Sequence, residues 1–92
     1  MDGAPLIDVM STMNRYRVRA FGVTRDVLQA KESEIAVDGN TVADLRRKLL
    51  AEYPRLAGLR SLYIAVNNEY ADEEKVLQEG DEIALIPPVS GG

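Results

Sequence analysis

The sequence predicts an α+β fold, a mixed sheet of about five short strands covering one main helix. Three observations predict it. Strict period-two alternation stands near the start of the chain, an apolar strand pattern stands near its end, and between them lies one capped stretch of helical periodicity. The 92 residues suit one domain, and the 46% hydrophobic share is enough for a single compact core.

The first strand is expected over 15–21, Arg-Tyr-Arg-Val-Arg-Ala-Phe, where polar and apolar residues alternate. Tyr16, Val18 and Ala20 then face the core, while Arg17, Arg19 and Phe21 face outward. A second strand over 34–37 turns Ile35 and Val37 inward, and Asp38-Gly39-Asn40 makes the turn that follows. Thr41 is a good N-cap, with Asp44 three residues on completing a capping-box pattern. Val42, Leu45 and Leu49 form the buried stripe of this helix, which ends near Tyr53 because Pro54 cannot continue it. Arg46, Arg47 and Lys48 make its solvated side, with Lys48 spaced to pair with Asp44 four residues earlier.

Residues 62–66 read as a buried strand closed by an Asn67-Asn68 turn, with a brief strand over 69–71. Gly80-Asp81 turns the chain into a last strand over 82–86. Strand, strand, helix, strand, short strand, strand is the order of a β-grasp, or ubiquitin-like, arrangement. Its first and last strands pair in parallel at the centre of the sheet. No repeat and no long linker divides the chain. Residues 1–12 are expected to be a flexible extension, 13–86 the domain, and 87–92 an extended tail.

Composition removes whole classes of function. With no Cys there is no disulfide and no thiol nucleophile, and with no His the commonest general base and metal ligand are missing. Ser-His and Cys-His catalysis are therefore excluded. A net charge of −4 argues against nucleic acid or an anionic membrane as partners. No run approaches the roughly 18 apolar residues of a membrane span, and the first segment lacks the basic start of a signal peptide. Seven acids lie between Glu69 and Glu82, while Arg15, Arg17, Arg19 and Arg25 cluster at the other end of the chain. Most of these charges are expected to form solvated faces; together they also suit an electrostatic guide for docking.

The outer face of the sheet and the tail carry the functional signal. If Ile83 and Leu85 face the helix, Ala84 and Ile86 join Phe21 outside, with Ala65 nearby and Arg17 and Arg19 beside them. This makes a candidate docking surface of Phe21, Ile86, Ala84 and Arg19. Beyond it, Pro87-Pro88 ends the strand and holds the exit extended. The final Gly91-Gly92 has no side chains and can thread a narrow channel. A free carboxylate there is unreactive toward acyl transfer, but its mixed anhydride with AMP is open to displacement by sulfur.

The segments Ala-Val-Asn-Asn-Glu-Tyr (65–70), Leu-Gln-Glu-Gly-Asp-Glu-Ile-Ala-Leu (77–85) and Ile-Pro-Pro-Val-Ser-Gly-Gly (86–92) resemble the molybdopterin synthase small-subunit (MoaD) family, related to ThiS. The likeness runs over about residues 15–92, and Pro-Pro-Val-Ser-Gly-Gly is its most discriminating part. Ile86 departs from the family, which often has an aromatic residue there.

The resemblance implies a cytoplasmic sulfur carrier, not catalytic alone. An E1-like (MoeB-like) adenylyltransferase would use ATP to adenylate Gly92, which then becomes a thiocarboxylate. No cofactor is expected to stay bound. Gly91, Ser90, Val89, Pro88 and Pro87 would enter a MoaE-like large subunit within a heterotetramer, delivering sulfur to cyclic pyranopterin monophosphate. Arg25 matches a family position near the activating enzyme. A carrier for thiamin or cysteine synthesis, a ubiquitin-like modifier and a binding-only module remain alternatives.

Overall fold

A computed structural model describes residues 13–88. Its elements are β1 (Asn14–Ala20), α1 (Val23–Leu28), β2 (Glu32–Val37), α2 (Val42–Glu52), a 3-10 turn (Pro54–Gly58), β3 (Tyr63–Val66), β4 (Glu69–Tyr70) and β5 (Ile83–Ile86). They form a five-stranded sheet in the order β2-β1-β5-β3-β4, packed on α2. β1 and β5 run parallel, with Val18 opposite Ile83 and Ala20 opposite Leu85. The other pairings are antiparallel. This is the β-grasp arrangement.

Parity decides what is buried. Tyr16, Val18 and Ala20 of β1 meet Ile35 and Val37 of β2 and Ile83 and Leu85 of β5, all at most 2% exposed. Val42, Leu45 and Leu49 of α2 close the layer from the other side. The helix starts as its sequence dictates. The Thr41 hydroxyl accepts from Asp44 N–H at 3.2 Å, and the Asp44 carboxylate accepts from Thr41 N–H at 3.2 Å. The next N–H groups are also satisfied: Val42 and Ala43 donate to the carbonyls of Lys75 and Glu73, both at 3.0 Å. The acidic 72–82 segment thus lies against the helix N-terminus by its backbone.

Five details differ from the sequence reading. Lys48 pairs forward with Glu52 at 3.3 Å, and Asp44 takes Arg47 at 3.1 Å instead, because the cap already fixes its carboxylate toward the first turn. Arg46 is not a solvated side chain: it binds Glu73 at 2.8 Å and donates to the Leu62 carbonyl at 2.7 Å, tying α2 to the chain on either side of the β3–β4 hairpin. The β3 strand is not wholly buried, since Tyr63 is 51% exposed on the outer face. A short helix, α1, stands between the first two strands, where no element is expected from the sequence. Strand limits also shift by a residue or two, so Phe21 stands just past the end of β1.

Among the described residues no helix is long and apolar enough to cross a membrane.

Candidate functional site: the tail root and its docking face

The site begins where β1 ends. Phe21 leaves the strand on its outer face, and the chain then turns at Gly22 with φ +56°. Glycine is needed there because other residues avoid that region, and because space is short. A Cβ on Gly22 would stand 3.0 Å from Cγ of Pro87. The corner after β1 therefore lies directly against the first residue of the tail.

Thr24 fixes this corner. Its side chain is fully buried, its hydroxyl donates to the Phe21 carbonyl, and the same oxygen accepts from Phe21 N–H at 2.8 Å. Such local pairing holds the backbone in a turn where no strand ladder can continue. Arg25, one residue on, donates from Nε to the Ala20 carbonyl at 3.0 Å. Its guanidinium lies 5.7 Å from the centre of the Phe21 ring, and that of Arg19 lies 5.8 Å from it. Both distances fall within cation–π range.

Sheet register extends the surface from Phe21. Arg19 stands opposite Ala84, and Ala84 opposite Ala65. Tyr63 stands opposite Ile86. A shallow groove of about 340 Å³ runs between these rows, lined by Arg19, Phe21, Ala65, Tyr70, Ala84 and Ile86 among others. At its far side the Tyr63 and Tyr70 rings pack at 5.3 Å between centres, inclined by 31°. Tyr70 is 71% exposed. Solvated aromatic rings beside an apolar groove are what binding surfaces offer and folded cores do not.

All five residues expected on the docking surface (Phe21, Ile86, Ala84, Arg19 and Arg25) thus come together. Pro87 and Pro88 leave β5 half-buried at its edge. Val89, Ser90, Gly91 and Gly92, like the extension over residues 1–12, lie outside the described residues. Sequence reasoning missed Tyr63, Tyr70, Gly22 and Thr24. Tyr63 shares the parity of Ala65, which was a usable signal. Gly22 and Thr24 act through a tertiary contact and a local turn that periodicity does not reveal.

The charged part of the outer face is mostly self-satisfied. Arg17 meets Glu32 at 3.4 Å across the strands, an exposed pair of small energetic value. Glu79 accepts from Arg15 N–H at 2.8 Å. Asp81 accepts from Asn67 Nδ2 at 3.2 Å and from Gln78 N–H at 2.9 Å, so these two acids serve the fold. Among the described residues no group of three or more Asp and Glu is arranged to hold a metal. The charged residues lining the groove are Arg19 and Glu82. Apolar area and aromatic edges make up most of the rest of its lining, and a second guanidinium, that of Arg25, stands by Phe21.

These features define a β-grasp domain with a candidate docking face beside Pro87, where the chain leaves its last strand. The chain belongs to the ThiS family, whose model matches residues 18–92. It is similar to the molybdopterin synthase sulfur carrier subunit of Dictyostelium discoideum, with 36% identity over 85 residues, 86% of this chain and 98% of the relative. Among solved structures it is similar to SAMP1 from Haloferax volcanii, with 28% identity and a TM-score of 0.72 over 86% of this chain and all of that one. It is also similar to a chain in the complex of subunits 1 and 2 of molybdopterin-converting factor from Helicobacter pylori. There the identity is 32% and the TM-score 0.58, over 85% of this chain and 99% of that one.

Proposed function

We propose that this chain is the sulfur-carrying subunit of a molybdopterin synthase, with the carboxyl group of Gly92 as the group that is loaded. The observation that carries the reading is the packing of Pro87 on Gly22 beside Phe21 and Ile86, at the edge of the apolar groove and five residues before the Gly92 that ends the sequence. The relatives support it, since the Dictyostelium protein bears that function in its name and the Helicobacter structure is a complex of two subunits.

In this reading an E1-like enzyme first activates the tail. The Gly92 carboxylate attacks the α-phosphorus of ATP and expels pyrophosphate, leaving an acyl adenylate. Hydrosulfide then attacks the carbonyl carbon, AMP departs, and loss of the remaining S–H proton leaves a thiocarboxylate. No side chain of this domain takes part. Its work is to dock and to aim, delivering the loaded end to a large subunit whose groups carry out transfer to cyclic pyranopterin monophosphate.

The experiment is pull-down with the large subunit of the same organism, followed by a molybdopterin-formation assay with thiocarboxylated chain. Stable capture and product formation are expected. Capture without product would point to another sulfur acceptor. The likeness to SAMP1 favours one second reading, a modifier joined through Gly92 to lysines of other proteins. High-mass conjugates in cells, lost on deleting Gly92, would favour it.

A further inference from the structure

Two arginines, Arg19 and Arg25, converge on the Phe21 ring. Arg19 has Glu32 as its cross-strand partner, yet Glu32 is engaged by Arg17, and the Arg19 guanidinium lies against the Phe21 ring. Arg25 spends its Nε–H on the Ala20 carbonyl, which fixes the side chain and aims the rest of its fork at the same ring. Among the described residues neither guanidinium has a carboxylate within salt-bridge distance, whereas Arg17, Arg46, Arg47 and Lys48 each have one. An acidic chain of net charge −4 therefore keeps two cations without a carboxylate where its tail departs.

The chemistry of that spot selects an anion. Guanidiniums lie near the ring, and the ring edge itself is electropositive. The neighbouring Ala84 and Ile86 thin the local water, which strengthens any charge pairing formed there. A guanidinium fork is planar by resonance and takes a carboxylate in bidentate fashion.

We infer that Arg19 and Arg25 form a paired guanidinium clamp over Phe21 that receives a carboxylate side chain of the large subunit as the tail enters. This rests on the reading of the chain as a synthase carrier. The clamp orients approach by setting two positive charges together at the tail root of an otherwise acidic chain. Its effect falls on association rate and salt dependence, while the apolar groove governs how long the complex lasts.

The test is stopped-flow association of the carrier with the large subunit of the same organism, at about 0.05 M and about 0.5 M salt, where screening differs strongly. The carriers are wild type, Arg19→Gln, Arg19→Lys and Arg19→Gln/Arg25→Gln. The clamp predicts a rate roughly tenfold lower for the double variant at low salt, with a flattened salt dependence. Arg19→Lys recovers most of the rate but dissociates faster, since an ammonium cannot pair in bidentate form. A double variant that associates as fast as wild type, with the same salt slope, overturns the clamp and leaves the carrier reading standing. Absence of wild-type binding overturns that reading and the clamp with it. Arg19 is exposed, so Arg19→Gln should melt with wild type, which separates a docking role from a structural one.

Discussion

Phe21 shows how much one residue can concentrate. It is the only phenylalanine in the chain, it follows the last residue of β1 on the solvent side, and Thr24 holds its backbone by both polar groups. Its ring meets Arg19, Arg25 and the groove in one place. Phe21→Arg or Ile86→Arg should therefore weaken large-subunit binding by about 2–4 kcal/mol, because each sets an unpaired charge in a desolvated patch. Calorimetric titration checks this, and wild-type affinity would mean that another face docks. Alternation alone was enough to find Phe21, Ala84, Ile86 and Arg19. It did not find Thr24, whose role is a local turn, nor Tyr63, whose parity was hidden by reading 62–66 as wholly buried.

Asp44 is the residue with a readable pH signature. Hydrogen bonding from Thr41, by its side chain first and then its backbone, with smaller parts from Arg47 and Asn40, holds its carboxyl below the ordinary carboxylate range. The unfolded chain then binds more protons than the folded one in the window below about pH 4, so stability there rises with pH. The contribution is complete above the ordinary value and is lost as pH falls through the lowered one. Asp44→Asn should flatten this part of the stability profile, measured by urea unfolding at several acid pH values. An unchanged acid limb would show that the cap is not the group responsible.

At the scale of elements, the β3–β4 hairpin and α2 were legible and α1 was not. Asn67 and Asn68 both take positive φ, 53° and 71°, as a two-residue hairpin turn requires. Asn67 also reaches the start of β5: its Oδ1 accepts from Glu82 N–H at 3.0 Å and its Nδ2 donates to Asp81 at 3.2 Å. Asn67→Ala should cost about 1–2 kcal/mol, the sum of left-handed strain and lost hydrogen bonds. Thermal denaturation gives the value, and Asn67→Gly should recover only the strain. The helix α2 announced itself by a capping box and three apolar residues in step. Six residues of α1 are too few to be stable by propensity. They hold through burial of Thr24 and Leu28, and Gln29 ends them in the left-handed region. The 3-10 turn after Pro54 is similar, fixed by Leu56 entering the core.

Across the whole molecule, parallel pairing of β1 with β5 is what creates the site. It brings the corner after the first strand to the exit from the last, so Gly22 meets Pro87 although they stand far apart in sequence. The topology was legible because the order and spacing of strands suit few arrangements. The groove was half legible, since its aromatic edge depends on how β4 folds over β3. The proposed function rests on the chemistry of the Gly92 carboxyl, and the most direct measurement is intact mass. The chain and a variant with one residue added after Gly92 are each incubated with the activating enzyme, ATP and a sulfur donor. The native chain should gain the mass difference between sulfur and oxygen, while the extended chain, its Gly92 carboxyl locked in an amide, should keep both its mass and its melting temperature. A native chain that gains no sulfur, or an extended chain that loads as well as the native one, would contradict the account.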